Sequence, residues 1–332
     1  MNTLAVRPVP QPPALIAHAD WSTDSKKRAI ARALRMADGS YTALTPEPVS
    51  DLPDLFARLR AAAGAGGTAL MGFDFPIGLP RAYAKAARID RFVPTLRQLG
   101  RGSWKAFYDP AEDASQISVR RPFYPQRPGG TKRQHLIDAL GLSGAQDLFR
   151  HCDRPTDLRG AASPLFWTLG AQQVGKAAIS GWRDLIAPAL RSDPSPRIWP
   201  FDGRLAEMLS QPGIVIAETY PSEFYGHLGL QIAVSTKSKL NPAHRRDDAE
   251  RLLDWAARNE IRLSGALTAD IRDGFGTGPD GEDRFDATIG LFGMLNVVLG
   301  QRVQGEPADP VVRRIEGWIL GLDPATIRAP AD

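Results

Sequence analysis

Cysteine is nearly absent from this sequence, with Cys152 the only one in 332 residues. A single thiol forms neither an intramolecular disulfide nor a cysteine-based zinc cluster, so a disulfide-stapled scaffold and a zinc ribbon are excluded, and a cytoplasmic location is expected. Histidine is almost as scarce: the five present include no HxxxH or HExxH arrangement, which removes the zinc-peptidase pattern. No run of about eighteen uncharged apolar residues occurs, and the opening MNTLAVRPVPQPP has no sustained apolar stretch, so no membrane span and no secretory leader are expected. Gly64-Ala-Gly-Gly67 lacks the Lys-Ser/Thr that completes a phosphate-binding loop and reads as a helix stop. Asp273 to Gly281 does not match EF-hand spacing and reads as a gate, while Ser22, Ser163 and Ser222 have no histidine at a readable spacing.

What remains is the composition of a folded, enzyme-sized body, 43% hydrophobic and 23% charged. The net charge of +4 is unevenly placed. From Arg81 to His135 there are twelve Lys/Arg against four Asp/Glu, interleaved with Tyr83, Phe92, Trp104, Phe107, Tyr108, Phe123 and Tyr124. Cationic and stacking groups in alternation suit a single-stranded nucleic-acid groove, and they equally suit a solvated basic surface whose aromatics anchor a loop-rich insertion.

Hydrophobic patterning predicts strands over 14–20, 28–36 and 40–44, a helix over 51–63 capped by Ser50, and a buried strand over 68–73 pairing in parallel with the first. A Pro-, Gly- and Arg-rich stretch follows, with helical patches near 132–140 and 182–190. A strand over 213–219, a short helix opened by Pro221, a helix from Asn241-Pro242 to Arg258 and a long apolar helix over 283–299 then complete the core. The expected division is a core of 14–90 and 205–300, an insertion or cap of 91–204, and an extension of 301–332. In that extension 313–322 reads as a helix whose Trp318 and Ile319 pack on a neighbouring surface.

Three apolar strands end in acids: Asp20 in His-Ala-Asp, Asp74 in Gly-Phe-Asp and Glu218 in Ile-Ala-Glu. In open α/β sheets ligands bind at the carboxyl ends of the strands, so acids placed there converge in one crevice. Converging carboxylates repel unless a cation lies between them, and an all-oxygen donor set points to Mg2+ or Mn2+. Asp283 and Asp286 are three residues apart, on one face of the last core helix, and approach from a second direction. Asp283 can alternatively cap that helix and complement its dipole, with Asp286 a first-turn acid. Lys237, Lys239, Arg245 and Arg246 follow Glu218 and are candidate phosphate contacts, as are Arg121 and Trp104 in the basic segment.

HADWS, MGFDFPIGLP, VIAETYPSEFYGHLGL and GEDRFDATIGLFGML, in that order, resemble the four signature segments of a bacterial family, domain of unknown function 429, regarded as predicted RNase H-like nucleases. The resemblance covers roughly 14–90 and 210–300, and FDFPIGLP is its most specific part. It implies an α/β fold with a five-stranded mixed sheet flanked by helices, with Asp20, Asp74, Glu218 and Asp286 as metal ligands; the long helical and loop insertion departs from the family's pattern. The expected activity is divalent-metal-dependent phosphodiester hydrolysis, with a nucleic acid as partner. Two other readings stay open. One is a nucleic-acid- or protein-binding module of the same fold without turnover. The other is an ATP-dependent phosphotransferase of a related fold, using Ser22, Thr23 and Lys26 on the hairpin after Asp20.

Overall fold

A computed structural model describes residues 6–170, 174–233 and 236–328; the first five residues of the stretch read for a leader, three of the insertion and the last four of the extension lie outside these. The chain divides into two compact units. The first comprises Met1–Asp74, Arg204–Gly305 and Ile319–Asp323, and the second Phe75–Gly203, Glu306–Trp318 and Pro324–Asp332. Among the described residues no helix is long and apolar enough to cross a membrane.

The fold is α/β. The strands are β1 (Leu15–Asp20), β2 (Ala29–Arg35), β3 (Tyr41–Pro48), β4 (Thr68–Phe73), β5 (Arg197–Ile198), β6 (Gly213–Glu218) and β7 (Arg262–Leu263), of which all but β5 belong to the first unit. There they form a mixed sheet in the order β6-β4-β1-β2-β3-β7. β1 pairs antiparallel with β2 and parallel with β4, and β4 pairs parallel with β6. The parallel return of β4 beside β1 after a helix is as the pattern predicts. The expected count of five strands is corrected to seven: β5 and β7, the latter on the outer edge of β3, are two-residue strands too short to leave an alternation in the sequence.

The Gly281–Val298 helix covers one face of this sheet, and every residue from Phe285 to Val298 is buried. It reaches the sheet closely because it carries glycines where it crosses. A Cβ on Gly290 would lie 2.1–2.2 Å from the His18 ring, and one on Gly293 2.1–2.6 Å from the Phe224 ring. Gly72 of β4 plays the same part from below, with Met294 Sδ 2.5 Å from where its Cβ would stand.

Several local boundaries differ from the sequence reading. The Leu55–Ala63 helix is preceded by a separate turn, Leu52–Asp54, so Ser50 is not its cap. The helix expected from Asn241 to Arg258 is two, Pro242–Asp247 and Ala249–Arg258, because the Asp248 carboxylate turns to accept the backbone amides of Gln231 (2.7 Å) and Ile232 (3.2 Å). The helix expected over 313–322 is a single wide turn, Val312–Glu316. Ile319 bridges in parallel to Glu218 within its own unit.

In the second unit the aromatic residues of the basic segment are core. Tyr83, Phe92, Phe107, Phe123 and Tyr124 are at most 2% exposed, and rings from 83 to 182 pack edge to face on one another, as in Phe92 on Trp182 and Phe107 on Phe123.

Candidate metal centre

β1 and β4 run side by side in parallel, with His18 opposite Gly72 and Ala19 opposite Phe73. Side chains alternate along strands, so His18 and Asp20 on β1 share a face with Gly72 and with Asp74, the residue that follows β4. Both carboxylates therefore emerge side by side at the carboxyl end of the sheet, half-buried, at the start of the Gly281–Val298 helix. The Asp74 carboxylate accepts the Trp21 backbone amide at 2.8 Å through Oδ1, which ties the first residue after β1 to the end of β4. The two carboxyls also lie within hydrogen-bonding reach of each other.

Two anions so placed cannot both stay ionised without a cation. Burial, then the neighbouring charges of Asp74 and Asp286, holds Asp20 well above the ordinary carboxylate range. Burial likewise pushes Asp74 up to about 7, against the stabilising hydrogen bonds from Asp20 and the Trp21 amide. A proton held between the two carboxyls relieves that repulsion.

Two further acids come from the helix, as its spacing predicts. Asp286 is buried and accepts hydrogen bonds from the Tyr225 hydroxyl and the Lys239 ammonium. Asp283, half-buried, is pushed up to about 6 by burial and by the adjacent Glu282, and its Oδ2 has no hydrogen-bond partner. Asp283 does not cap the helix, because Asp280 occupies that position.

Lys239 sits among these acids, bonded to Asp286 and 2.9 Å from Glu282. Burial works against its charge, but Asp286 and Tyr225 more than offset that, so the ammonium is held above its ordinary range. Its role differs from the expected phosphate contact: it neutralises the carboxylates. Among the described residues no three of Asp20, Asp74, Glu282, Asp283 and Asp286 bring an oxygen each within 4.8 Å of one another. The acids of the sheet and those of the helix stand apart, with the helix acids drawn toward Lys239.

Glu218 is not in this group. It is in register with Phe73, the residue before Asp74, so alternation turns its side chain to the opposite face of the sheet. It is buried, and its backbone carbonyl accepts the Leu320 amide at 2.8 Å. Thr219, one residue on, is the β6 side chain that faces the cluster's side, where its hydroxyl meets His18 Nε2 at 2.8 Å. Burial lowers His18 to about 3, so it packs under the helix as a neutral ring.

The other candidate cations are engaged in structure. Arg245 is buried and donates to the carbonyls of Gly274 (2.7 Å), Gly276 (2.7 Å) and Lys239 (2.5 Å), clamping the 273–276 loop to the segment that presents Lys239. Lys237 pairs with Asp247 at 2.7 Å, and Arg246 stands 3.8 Å from Asp273. In the second unit Arg121 donates to the carbonyls of Asp109 and Pro110 and to Gln116, and Trp104 is buried beneath Arg120 rather than offered to a base. Missed by the sequence reading were Glu282 and Tyr225. Glu282 precedes Asp286 by four residues, so helical spacing alone places both on one face. Tyr225 carries no such mark.

Comparison with known proteins returns no match: no family model, no curated protein and no solved structure is similar to this chain.

Proposed function

We propose that the first unit is a divalent-metal-dependent phosphodiester hydrolase of RNase H-like type, with Asp20, Asp74 and Asp286 as ligands to Mg2+ or Mn2+ and Asp283 beside them. The observation that carries this reading is the Asp20–Asp74 pair, two carboxyls presented together by adjacent parallel strands and both raised above their ordinary range, chiefly by burial. The fit to a hard ion rests on donor chemistry: every candidate is a carboxylate oxygen, and Asp283 Oδ2 has no other partner. A bound ion would polarise a phosphoryl oxygen and favour a water nucleophile at neutral pH.

The chain's own residues do the rest. Trp21 N holds the Asp74 carboxylate at one oxygen and so orients it beside Asp20. Tyr225 and Lys239 together orient Asp286. Lys239 neutralises the helix acids in the metal-free protein, and a metal at Asp286 competes with it. Were an ion held at Asp286, the Lys239 ammonium would be left as a cation near the site, able to meet a substrate phosphate. Positive charge at this site is thus supplied in either state.

The test is titration of Mn2+ and Mg2+ into wild type, Asp20→Asn and Asp74→Asn by calorimetry, followed by incubation with single- and double-stranded oligonucleotides. Metal binding abolished by both substitutions, together with cleavage that depends on the metal, is expected. Binding indifferent to both substitutions, or none at all, overturns the reading. Metal binding without cleavage favours the module without turnover.

A further inference from the structure

The second unit contains a cavity of about 440 Å³ in which three arginines, Arg88, Arg91 and Arg120, meet one acid, Asp90. Some arginines of this unit are paired with acids: Arg81 with Asp309 and Glu316, Arg150 with Asp153, Arg183 with Asp184. Among the described residues, Arg88, Arg91 and Arg120 have no carboxylate within 4 Å, and Arg91 acts on Asp202 only at longer range. Three uncompensated guanidinium groups around one hollow leave a local positive field for a ligand to neutralise.

Arg120 is held in place for such a ligand. Its guanidinium carbon lies 3.6 Å from the centre of the Trp104 ring, and the stacking fixes the plane of the fork. Its Nη1 is buried without a hydrogen-bond acceptor, so the protein itself does not satisfy the group. Arg88 supplies a second argument. It follows the Arg81–Ala86 helix with φ +55°, the left-handed conformation that helix ends ordinarily assign to glycine. Arginine here is strained relative to glycine.

We propose that the Arg88–Arg91–Arg120 cavity of the second unit is a binding site for a phosphate group. One guanidinium fork satisfies a carboxylate, whereas three arginines lining one hollow offer donors enough for the several oxygens of a tetrahedral anion. The volume exceeds that of a bare phosphate and falls in the range of small-ligand sites, so the group is carried on a nucleotide or a nucleic-acid strand. This proposal does not rest on the metal-centre reading, and its test is run in EDTA, where that reading plays no part.

The experiment measures binding of a 5′-labelled single-stranded oligothymidylate to the full chain by fluorescence anisotropy, with inorganic phosphate as competitor. Arg88→Gly suits the local backbone, and Arg91→Ala removes an exposed side chain, so both variants should fold, which circular dichroism checks. Each is expected to weaken binding by about tenfold, the lower end for losing a hydrogen bond to a charged group. Arg272→Ala, an exposed arginine of the first unit, is the charge-matched control and should stay within about twofold. Competition by phosphate, with the strand binding far more tightly, identifies the strand as the source of the phosphate. Equal affinity for both identifies the free anion. The proposal is overturned if neither ligand binds, if Arg88→Gly and Arg91→Ala leave affinity unchanged, or if Arg272→Ala loses as much as they do.

Discussion

Asp74 carries the opposing demands on the first unit. Its carboxyl is raised from 3.8 to about 7 by burial, so between those values the folded chain holds a proton that the unfolded chain releases. Stability from this group is therefore lost as pH rises through that window in the absence of metal. His18 has the opposite sign: lowered to about 3 from 6.5, it costs stability as pH falls below 6.5. A variant compared with wild type separates the two. Asp74→Asn in EDTA should melt roughly 2–4 °C above wild type at pH 7.5, with the difference vanishing toward pH 4, as differential scanning fluorimetry would read. A lower melting point at pH 7.5 would mean that the carboxylate is not strained. Lys239→Met should do the reverse, melting roughly 2–4 °C lower without metal, because it leaves Asp286 buried beside Glu282 with no cation. The same variant should bind Mn2+ several-fold more tightly in a calorimetric titration, since the competing ammonium is gone. Weaker binding would show that Lys239 does not compete with the ion.

Among the elements, the Gly281–Val298 helix does most to position the site, and its glycines are where it is most exposed to failure. Ala is the better helix former by about 1 kcal/mol, so propensity alone would make Gly290→Ala stabilising. The structure reverses that sign. A methyl group 2.1–2.2 Å from the His18 ring forces the helix away from β1, and overpacking of this kind costs about 1–3 kcal/mol. Urea denaturation of Gly290→Ala should show a net loss of stability and, with the helix displaced, weaker metal binding. Unchanged stability would mean that the helix moves freely. The long apolar run made this helix legible as buried, and Asp283 and Asp286 legible as one face of it. The break at Asp248 was not legible, because apolar spacing continues through it and only a loop distant in sequence calls the carboxylate out of the helix.

At the scale of the whole molecule, charge and aromaticity part company. The segment from Arg81 to His135 concentrates both, yet its rings fill the second unit's core while Arg88 and Arg91 stay exposed and Arg120 lies stacked on one of those rings. Metal binding should also be visible at this scale. At a hundred times its dissociation constant, an ion that binds only the folded state stabilises it by about 2.7 kcal/mol. Mn2+ should therefore raise the melting temperature of wild type, EDTA should reverse the rise, and Asp20→Asn should abolish it. A rise that persists in that variant would place the ion elsewhere.

The sequence by itself determined the local elements that matter here: the buried strands before Asp20 and Asp74, the parallel return of β4, and the apolar helix that begins with an acidic turn. Periodicity and strand-end chemistry are local, so they survive in a linear reading. Tertiary structure decided which acids meet. Glu218 ends an apolar strand just as Asp20 and Asp74 do, but the register of β6 against β4 sets it beside Phe73, and a one-residue difference in register is a change of face. The placing of Lys239 among the carboxylates was likewise beyond the sequence, because it depends on a loop clamped by Arg245 to carbonyls some thirty residues away. Register and loop clamping are non-local pairings, and only the folded chain specifies them.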